Sequence, residues 1–266
     1  MTDITATMVK ELRDATSAGM MDCKRALQET DGDFDAAVRL LRERGMASAA
    51  KRADRATSEG KVGIMVRGDV GAIVAVGCET EPVSNNEEFL AYAEDVLRAV
   101  HERGEEAASD LEERRVELAA KLGENIQVVG AKRMPAGDGE TLSSYAHAPA
   151  NKVGALVRTK GGDPSAARSL ALHLTFAKPT YGSRDEVPAE LVEAERQILE
   201  SSDEVQSKPE NVREKIVEGM LNKRFYGESV LMEQTWYRPD ESTATVRDVL
   251  RERGVELLDY AWYAVG

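Results

Sequence analysis

Cysteine is scarce in this chain of 266 residues, which contains only Cys23 and Cys78. Two thiols do not make a disulfide framework in a chain of this length, and the sequence has no C-x-x-C motif or Cys/His cluster with metal-ligand spacing. It also has no apolar run long enough to span a bilayer, and the N-terminal MTDITATMVKEL lacks the features of a signal peptide. We therefore expect a cytoplasmic protein that holds no metal or cofactor and does not enter a membrane.

Basic residues are outnumbered by acidic ones, and the formal net charge is −13. Phosphate backbones repel such a chain, so we expect no direct binding to nucleic acid. The short basic run of Lys51, Arg52 and Arg55 is interpreted as an ordinary solvated stretch after a helix. Hydrophobic residues make up 42% of the chain and charged residues 31%, a mixture typical of a folded protein rather than a disordered one.

Recognisable catalytic motifs are also missing. The sequence has no phosphate-binding loop, no G-x-G-x-x-G before a helix, no G-x-S-x-G and no H-E-x-x-H. Of the three distant histidines, His101, His147 and His173, the last lies in an apolar helix and is interpreted as a core residue, whereas His147 is expected in an exposed loop. Neighbouring acids such as Glu87 and Glu88 point in different directions on a helix and are interpreted as surface. These absences favour a binding protein over an enzyme.

Residues 1–54 predict three short amphipathic helices, because apolar residues recur there at helical spacing. The helices are expected at residues 5–14, 20–29 and 34–45. Residues 17–19 break the first helix, Asp33 is a candidate N-cap for the third, and Gly45 is expected to end it. Three helices in this length predict a small bundle resembling ubiquitin-associated domains, and residues 46–59 predict a partly helical linker.

The hydrophobic period changes after the bundle, and residues 55–139 predict a first core subdomain. Two β-rich segments surround Gly68-Asp69, a dipeptide typical of a hairpin turn. Two amphipathic helices and a third strand follow. The predicted elements are strands at 61–67, 72–78 and 126–134 and helices at 85–101 and 108–122.

The second half of the chain repeats a fragment of the first. Residues 61–67, KVGIMVR, match residues 152–158, KVGALVR, at five of seven positions. Because each copy is followed by a Gly/Asp turn and later by a helix, we predict a duplicated core whose second subdomain comprises residues 140–182 and 223–266. The further elements predicted there are helices at 164–177 and 243–253 and strands at 229–237 and 255–265. Interleaved strands and helices of this kind predict the fold class α+β.

Residues 183–222 predict an antiparallel helical hairpin inserted in the second subdomain. Pro188 and Pro209 stand where the two helices would begin. Each helix carries one apolar stripe at helical spacing, and the stripes are expected to pack the two helices together. The stripes are Leu191, Ala194 and Ile198 in the first helix and Val212, Ile216 and Met220 in the second.

Four segments resemble motifs of the bacterial elongation factor Ts family. Residues 16–27, TSAGMMDCKRAL, are similar to the family's T-G-A-G-M-M-D-C-K-K-A-L. Residues 78–83, CETEPV, stand where the family has C-[EQ]-T-D-F-V. Residues 121–126, KLGENI, resemble K-I-G-E-N-I, and residues 144–147, SYAH, resemble S-Y-x-H. The segments follow the family's order, the resemblance covers essentially the whole chain, and the predicted bundle, duplicated core and hairpin agree with the family's architecture.

The resemblance implies a guanine-nucleotide exchange factor that binds elongation factor Tu carrying GDP and promotes GDP release, so that GTP can enter. It also implies that the loop after Cys78 disturbs the magnesium and phosphate site of that GTPase. The loop residues are Thr80, Glu81, Pro82 and Val83. Further contacts with the GTPase implied by the resemblance are Met20, Met21, Leu122, Gly123, His147, Tyr237 and Arg238.

The loop departs from the family at its central pair, because Glu81-Pro82 replaces Asp-Phe. The carboxylate is retained with one more methylene, but the aromatic ring is absent. Proline is rigid and apolar, so it presents a preformed knob, although it does not fill an aromatic pocket. Either the partner's pocket is smaller, or Val83 takes part, or this wedge contributes less.

Other interpretations stay open at this point. Met20 and Met21 are alternatively core residues of the bundle, although two adjacent residues do not both face inward on one helix. The chain is alternatively a non-exchanging adaptor that binds a partner helix through the bundle, or an enzyme whose site includes His147. In parts of the family the helical arm mediates dimers or touches the partner, so a homodimer or a 2:2 complex through the arm is a further expectation.

Overall fold

Three helices pack together at the N-terminus of the computed structural model, which describes residues 3–16, 18–238 and 242–266. They are α1 (Ala6–Thr16), α2 (Met20–Glu29) and α3 (Phe34–Arg52). Their shared core includes Leu12, Leu27 and Leu41. The Asp33 carboxylate accepts a hydrogen bond from the Ala36 amide at 2.9 Å, so the predicted N-cap is confirmed. Of the break predicted at residues 17–19, Ser17 lies outside the described residues, and Ala18 and Gly19 lie between α1 and α2 as predicted. The likeness of the bundle to ubiquitin-associated domains stays a prediction.

Gly45 does not end α3, and the prediction of a helix terminus there is wrong. The helix continues for seven residues to Arg52. Gly45 instead marks the place where α3 crosses a core helix, because a Cβ built on it would lie 2.9 Å from the Cβ of Ala120. The missing side chain allows the two helices to approach closely, which a local sequence pattern does not reveal.

The first core unit is a three-stranded antiparallel sheet, here called sheet A, that is covered by helices on one face. Its strand order is β1-β2-β3, and the Gly68-Asp69 turn joins the first two strands as predicted. Asn86 caps the long helix α5 through its side chain, which accepts from the amides of Glu88 and Phe89. The elements in chain order are β1 (Glu59–Arg67), β2 (Val70–Cys78), α4 (Glu81–Ser84), α5 (Glu87–Arg103), a 3-10 helix (Glu105–Leu111), α6 (Glu112–Leu122) and β3 (Gln127–Pro135).

The second core unit is also a three-stranded antiparallel sheet, here called sheet B, with the order β4-β5-β6. Its main helix, α7, spans Pro164–Ala177 as predicted, and the Asp163 side chain caps it. The strands are β4 (Glu140–Ala146), β5 (Val153–Lys160) and β6 (Glu256–Ala264), and α12 (Val246–Glu252) precedes the last of them. The sequence did not predict β4. A strand predicted at residues 229–237 is absent from that described segment, where only a 3-10 turn at Leu231–Glu233 and two isolated bridges occur.

The two sheets face each other, and helices cover their outer sides. Between the sheets lie apolar side chains from both, such as Ile73, Met134 and Leu156. The outer side of sheet A packs against α5 and α6 around Phe89 and Val96, and the outer side of sheet B packs against α7 and α12. Helices and antiparallel strands in such layers place the fold in the α+β class, as predicted.

The repeated fragment occupies different places in the two sheets. Residues 61–67 lie in the edge strand β1, whereas residues 152–158 lie mainly in the central strand β5, so these segments are not equivalent strands. The counterpart of β5 by strand order is β2. Its VGAIV at residues 70–74 matches VGALV at residues 153–157 at four of five positions. The predicted equivalence of residues 61–67 with residues 152–158 is therefore wrong, and duplication of the core stays a prediction.

The arm between the halves of the second unit contains two antiparallel helices. They are α8 (Ala189–Ser201) and α10 (Glu210–Met220), with α9 (Asp203–Gln206) between them and a π-helical turn (Leu221–Tyr226) and α11 (Gly227–Ser229) after them. Pro188 and Pro209 precede α8 and α10 as predicted. The stripe of Leu191, Ala194 and Ile198 is exposed, so the prediction that it packs the helices together is wrong. The buried face uses Leu199, one residue further on, with Val217.

Within the described residues, no helix combines the length and the apolar character that crossing a membrane requires. The predicted domain boundaries at residues 54, 139, 182 and 222 stay predictions.

Candidate functional site

The loop that follows β2 folds into the short helix α4 and presents two side chains to solvent. Glu81 and Pro82 are exposed, and Pro82 stands in the first turn, where a missing amide proton costs no hydrogen bond. Val83 packs against the core of sheet A, so it anchors the loop from below. The buried Ser84 hydroxyl donates to the Glu81 carbonyl at 2.8 Å. The exposed pair therefore sits on a base that is fixed by packing and by hydrogen bonds.

Glu124 fixes the start of this loop. One oxygen of its carboxylate accepts hydrogen bonds from the backbone amides of Glu79 and Thr80, both at 3.0 Å. The other oxygen accepts the Thr80 hydroxyl at 2.5 Å. These charge-assisted bonds join segments that are 44 and 45 residues apart in the chain.

Glu79 makes the reciprocal contact, from the loop to the turn after α6. Its Oε1 accepts the amide of Asn125 at 2.7 Å. The buried Asn125 side chain in turn donates to the carbonyls of Ala53 and Arg55 in the linker, at 3.1 and 2.7 Å. The linker after the bundle, the loop and the turn after α6 thus form one hydrogen-bonded unit, here called the Glu124 clamp.

The second pair implied by the resemblance, Leu122 and Gly123, lies at this clamp. Leu122 ends α6 and packs partly against the core of sheet A. Gly123 has φ of 78° and is the left-handed C-cap of the helix. The clamp therefore holds residues 80–83 beside residues 122–123, a juxtaposition that no pattern in the sequence predicted.

The Cys78 thiol lies beneath the loop. It is buried, and its Sγ donates to the Thr80 carbonyl at 3.3 Å. Burial, reinforced by the negative charge of Glu124, raises the pKa of this thiol to about 12. The group is therefore a neutral packing element and not a nucleophile.

Lys61 connects the loop to sheet B. Its Nζ donates to the Asn85 side chain and to the Ala150 carbonyl, both at 3.0 Å. A cavity of about 240 Å³ lies between the loop and the turn after β4, with Glu81 on one side and Pro149 on the other. The loop after β2 and the turn that carries His147 thus belong to one face of the core.

His147 is exposed, as predicted, and it belongs to a cluster of rings. The Tyr145 hydroxyl lies 3.1 Å from its Nδ1. The rings of His147 and Phe176 of α7 form a T-shaped contact at 5.1 Å between ring centroids, and Phe176 stacks on Tyr237 at 4.5 Å with an interplanar angle of 5°. We call Tyr145, His147, Phe176 and Tyr237 the aromatic cluster. It brings together two residues that the resemblance implied separately, through a phenylalanine that was not predicted.

Buried polar contacts position Tyr237. Its amide donates to Nδ1 of His173 at 3.1 Å, while Nε2 of His173 lies 2.9 Å from Oε1 of Gln234. Because Nδ1 accepts, the proton of the neutral ring is on Nε2 and is donated to Gln234. Burial lowers the pKa of His173, which keeps the ring in this neutral form. His173 is a core residue, as predicted, and it stacks on Trp236.

Arginine side chains lie next to the aromatic cluster. Arg168, Arg238 and Arg253 line a cavity of about 470 Å³ together with Tyr145. Three guanidinium groups at one cavity stand out in a chain whose formal net charge is −13. Arg253 lies over the Trp236 ring and close enough to the Asp163 carboxylate for their charges to interact, and Arg168 donates to the Ser144 carbonyl at 3.4 Å.

Met20 and Met21 begin α2 on the bundle, with 52% and 64% of their surface exposed. The inner face of that helix is formed instead by Cys23, Ala26 and Leu27. The alternative that both methionines are core residues is therefore wrong, and both offer adaptable apolar surface to a partner.

Sequence reasoning missed Glu124, Lys61 and Phe176. Glu124 lies in the motif of residues 121–126, but its role depends on amides far away in the chain. Phe176 follows the buried Leu174 and Thr175 near the end of α7, and an apolar helix gives no reason to expect an exposed ring there. Only the arrangement of α7 against residues 234–237 shows its position.

Known proteins resemble this chain along nearly all of its length. A family model described as Elongation factor TS matches residues 79–266. The chain is 40% identical to "Elongation factor Ts" of Saccharopolyspora erythraea over 100% of this chain and 99% of the relative. It is 39% identical to the protein of that name in Halorhodospira halophila, and 38% identical to the one in Alkalilimnicola ehrlichii. In both cases the alignment covers 99% of this chain and 92% of the relative.

These matches confirm the resemblance inferred from the four motifs. Because the family model covers most of the chain and the relatives align from one end to the other, this chain belongs to the elongation factor Ts family.

Proposed function

We propose that this chain is a cytoplasmic guanine-nucleotide exchange factor for elongation factor Tu. It binds the GTPase carrying GDP, promotes release of GDP by disturbing the magnesium and phosphate-binding site, and leaves the site open to GTP. The chain acts by binding and performs no covalent chemistry. Membership of the elongation factor Ts family supports the identity of the partner.

The observation that carries this proposal is the Glu124 clamp. An exchange factor has to hold a protruding group in one geometry while the nucleotide site deforms around it. A carboxylate that accepts two amides and a hydroxyl fixes the backbone of the loop immediately before Glu81-Pro82. The same clamp holds Leu122-Gly123 beside the loop, so both contacts implied for the nucleotide side of the GTPase meet it as one rigid unit.

The energetic basis is linkage between two ligands of one GTPase. The exchange factor and the nucleotide each weaken the binding of the other, and this coupling is reciprocal. The factor need not touch the nucleotide, provided that it prefers the conformation in which the magnesium site is distorted. A preference of about 5.5 kcal/mol moves a two-state equilibrium from 1:99 to 99:1. A few central contacts of a protein–protein interface supply an energy of this size.

Glu81 and Pro82 have different roles in this proposal. The Glu81 carboxylate competes for cationic groups around the phosphates and magnesium. Pro82 is a rigid apolar knob whose φ is fixed by its ring, so little conformational entropy is lost when it enters a pocket. The knob is smaller than an aromatic ring, and the pocket that receives it is correspondingly shallow.

The experiment is a release assay with a fluorescent GDP analogue bound to elongation factor Tu. We expect the purified chain to accelerate release, with Glu81→Ala and Pro82→Gly lowering the maximal rate. Glu94→Gln serves as the matched control, because Glu94 pairs with Arg98 on the surface of α5 and takes no part in the clamp. Absence of acceleration by the wild-type chain at stoichiometric concentration would reject the proposal.

The adaptor alternative has one observation in its favour, namely the loss of the ring at Pro82. It is tested by restoring the pair with Glu81→Asp and Pro82→Phe in one chain. A wild-type chain that binds without exchange, and a restored chain that exchanges, would support the adaptor. Comparable rates for both chains support the exchange factor with a proline knob.

The arm is the proposed route to a homodimer or a 2:2 complex. Its exposed stripe of Leu191 and Ile198 is the apolar surface available for this contact. Sedimentation of the isolated protein and of an Ile198→Asp variant tests the state. A dimer that dissociates in the variant supports the proposal, and a monomeric wild-type chain contradicts it.

A further inference from the structure

Two aromatic rings lie stacked on the surface of the second core unit. Phe176 is 38% exposed and Tyr237 is 42% exposed, and their parallel rings lie 4.5 Å apart. The exposed edge of this pair continues through His147 and Tyr145. A contiguous set of partly exposed rings at one place is typical of a protein–protein contact and not of a solvated surface.

Packing of the core does not explain Phe176. The inward face of α7 is already filled by Leu170, His173 and Leu174, which are fully buried. Phe176 points away from this core and makes its ring contacts with His147 and Tyr237, residues from two other segments. The ring therefore stabilises the surface arrangement of those residues and offers its open side to a partner.

The aromatic cluster is also held in advance of binding. The amide of Tyr237 is bound to His173, three residues before Phe176 on the same helix. The Gln234 side chain donates to the carbonyls of Ala177 and Glu228 at 3.1 and 2.6 Å, which ties the same segment to the end of α7. A surface that is already ordered loses less entropy on association, so its contacts contribute more to affinity.

The charge beside the cluster indicates what kind of surface fits it. Arg168 lines the neighbouring cavity, which also reaches Tyr145. Ser169 lines the same cavity, and its hydroxyl adds a hydrogen-bonding group there, whereas the Ser165 hydroxyl already donates to the Asp163 carboxylate at 2.7 Å. A complementary partner surface carries an apolar side chain for the rings and carboxylates at its edge for Arg168.

We infer that Phe176 determines the affinity for the GTPase by receiving an apolar side chain of a partner surface that is edged by carboxylates. This inference rests on the proposed function, since it assigns a central residue to the contact made by the second core unit. Phe176 acts with Tyr237 as one anchor, and the arginine-lined cavity orients the partner. The contact leaves the nucleotide site untouched, so it sets affinity and not the maximal rate of release.

The test measures binding and exchange separately with elongation factor Tu loaded with a fluorescent GDP analogue. Phe176→Ala is compared with Phe176→Tyr, which keeps the ring, and with Phe176→Leu, which keeps an apolar side chain without one. Val66→Ala is the control, because Val66 is exposed to a similar degree but lies at the hairpin end of β1. Arg168→Gln, matched by Arg98→Gln on α5, tests the charged edge.

We expect Phe176→Ala to raise the dissociation constant about tenfold, and Phe176→Tyr and Val66→Ala to change it less than about threefold. Phe176→Leu should lie between them, and it carries the test should the alanine variant unfold. The maximal release rate should stay at the wild-type value in all of them. Arg168→Gln should weaken binding about threefold at low salt and reduce its salt dependence, whereas Arg98→Gln should do neither.

The outcomes separate this inference from the proposed function. Wild-type affinity in both Phe176→Ala and Phe176→Leu overturns the inference, while normal exchange by the wild-type chain keeps the function. A wild-type chain that binds without accelerating release rejects the exchange function, yet a tenfold loss in Phe176→Ala still supports the anchor. A wild-type chain that neither binds nor exchanges overturns both.

Discussion

Replacement of Glu124 by glutamine tests the clamp with a change of one charge and almost no change of shape. The wild-type carboxylate accepts three hydrogen bonds from residues 79 and 80, at 3.0, 3.0 and 2.5 Å. A glutamine side chain keeps one acceptor oxygen and turns an NH₂ group toward a backbone donor. Hydrogen bonds to a charged group contribute about 1.5–3 kcal/mol each when shielded, but Thr80 is exposed, so the total loss is set at about 1–2 kcal/mol.

This loss becomes a change in rate through the population of the fixed loop. A loss of about 1–2 kcal/mol lowers the equilibrium constant that favours the productive geometry of the loop about 5–30-fold, because about 1.4 kcal/mol corresponds to a factor of ten. We therefore expect the maximal rate of GDP release to fall about tenfold in Glu124→Gln. The concentration that gives half of the maximal rate should rise less than about threefold, because the bundle and the aromatic cluster are unchanged.

Stopped-flow release of a fluorescent GDP analogue at increasing concentrations of the factor measures both quantities. Glu94→Gln is the matched control, since it removes the same charge from an exposed pair within α5. Thermal unfolding of each variant should shift by only a few degrees, which separates a freed loop from an unfolded chain. The reasoning is refuted if Glu124→Gln keeps the wild-type maximal rate while Glu81→Ala loses it, because the loop would then act without its clamp.

Three further predictions concern stability and reactivity. Gly219→Ala should stabilise the chain by up to about 1 kcal/mol in urea unfolding, because open space surrounds that helical glycine, whereas Gly45→Ala should lose this gain through the contact with Ala120. The pKa of His173 is lowered from 6.5, so the unfolded chain binds a proton that the folded chain does not as the pH falls below that value. The free energy of unfolding should therefore be lower at pH 5.5 than at pH 7, with a contribution from His173 of at most about 1.4 kcal/mol per pH unit. His173→Gln should remove this contribution to the pH dependence. At pH 8 a thiol reagent should leave Cys78 unmodified in the folded chain and label it after denaturation, because burial raises its pKa to about 12.

The sequence predicted those elements whose stability depends on local chemistry. Asp33 caps α3, and Asp163 and Pro164 begin α7 at the predicted position. The hairpin of β1 and β2 was predicted from its Gly68-Asp69 turn. In each case the determining groups lie within four residues of one another, so a single short window contains the whole physical cause.

Long-range packing accounts for the errors. In residues 229–237, Gln234 and Trp236 are buried while Thr235 and Tyr237 are exposed, so the alternation expected of a strand is present. A strand also needs a neighbouring strand, and this segment makes only isolated bridges, Val230 with Tyr181 and Thr235 with Thr245, together with a few backbone hydrogen bonds to residues 180–182 and 244–246. The alternation arises instead from packing against α7. Likewise, the exposed stripe of Ile198 has helical spacing whether a neighbour covers it or not.

The functional site divides in the same way. The motifs placed residues 80–83 and 122–123 on the surface of the core, but not beside each other. That juxtaposition depends on Glu124 and Glu79, whose bonding partners lie more than 40 residues away. The sequence did not predict the exposure of Phe176 for a related reason. A ring in an apolar helix is expected to be buried, and only the positions of the neighbouring segments show that this one is exposed.

The clamped loop and the aromatic cluster have to contribute differently if the chain is an exchange factor. Contacts that are equally strong with the resting and the distorted GTPase raise affinity for both states and shift nothing between them. The aromatic cluster is such a contact, whereas a loop at the magnesium site favours the distorted state and supplies the coupling. Since coupling is reciprocal, incoming GTP must displace the factor, and every gain in affinity at Phe176 slows that displacement. An aromatic surface at Phe176 is therefore useful to an exchange factor only up to moderate strength.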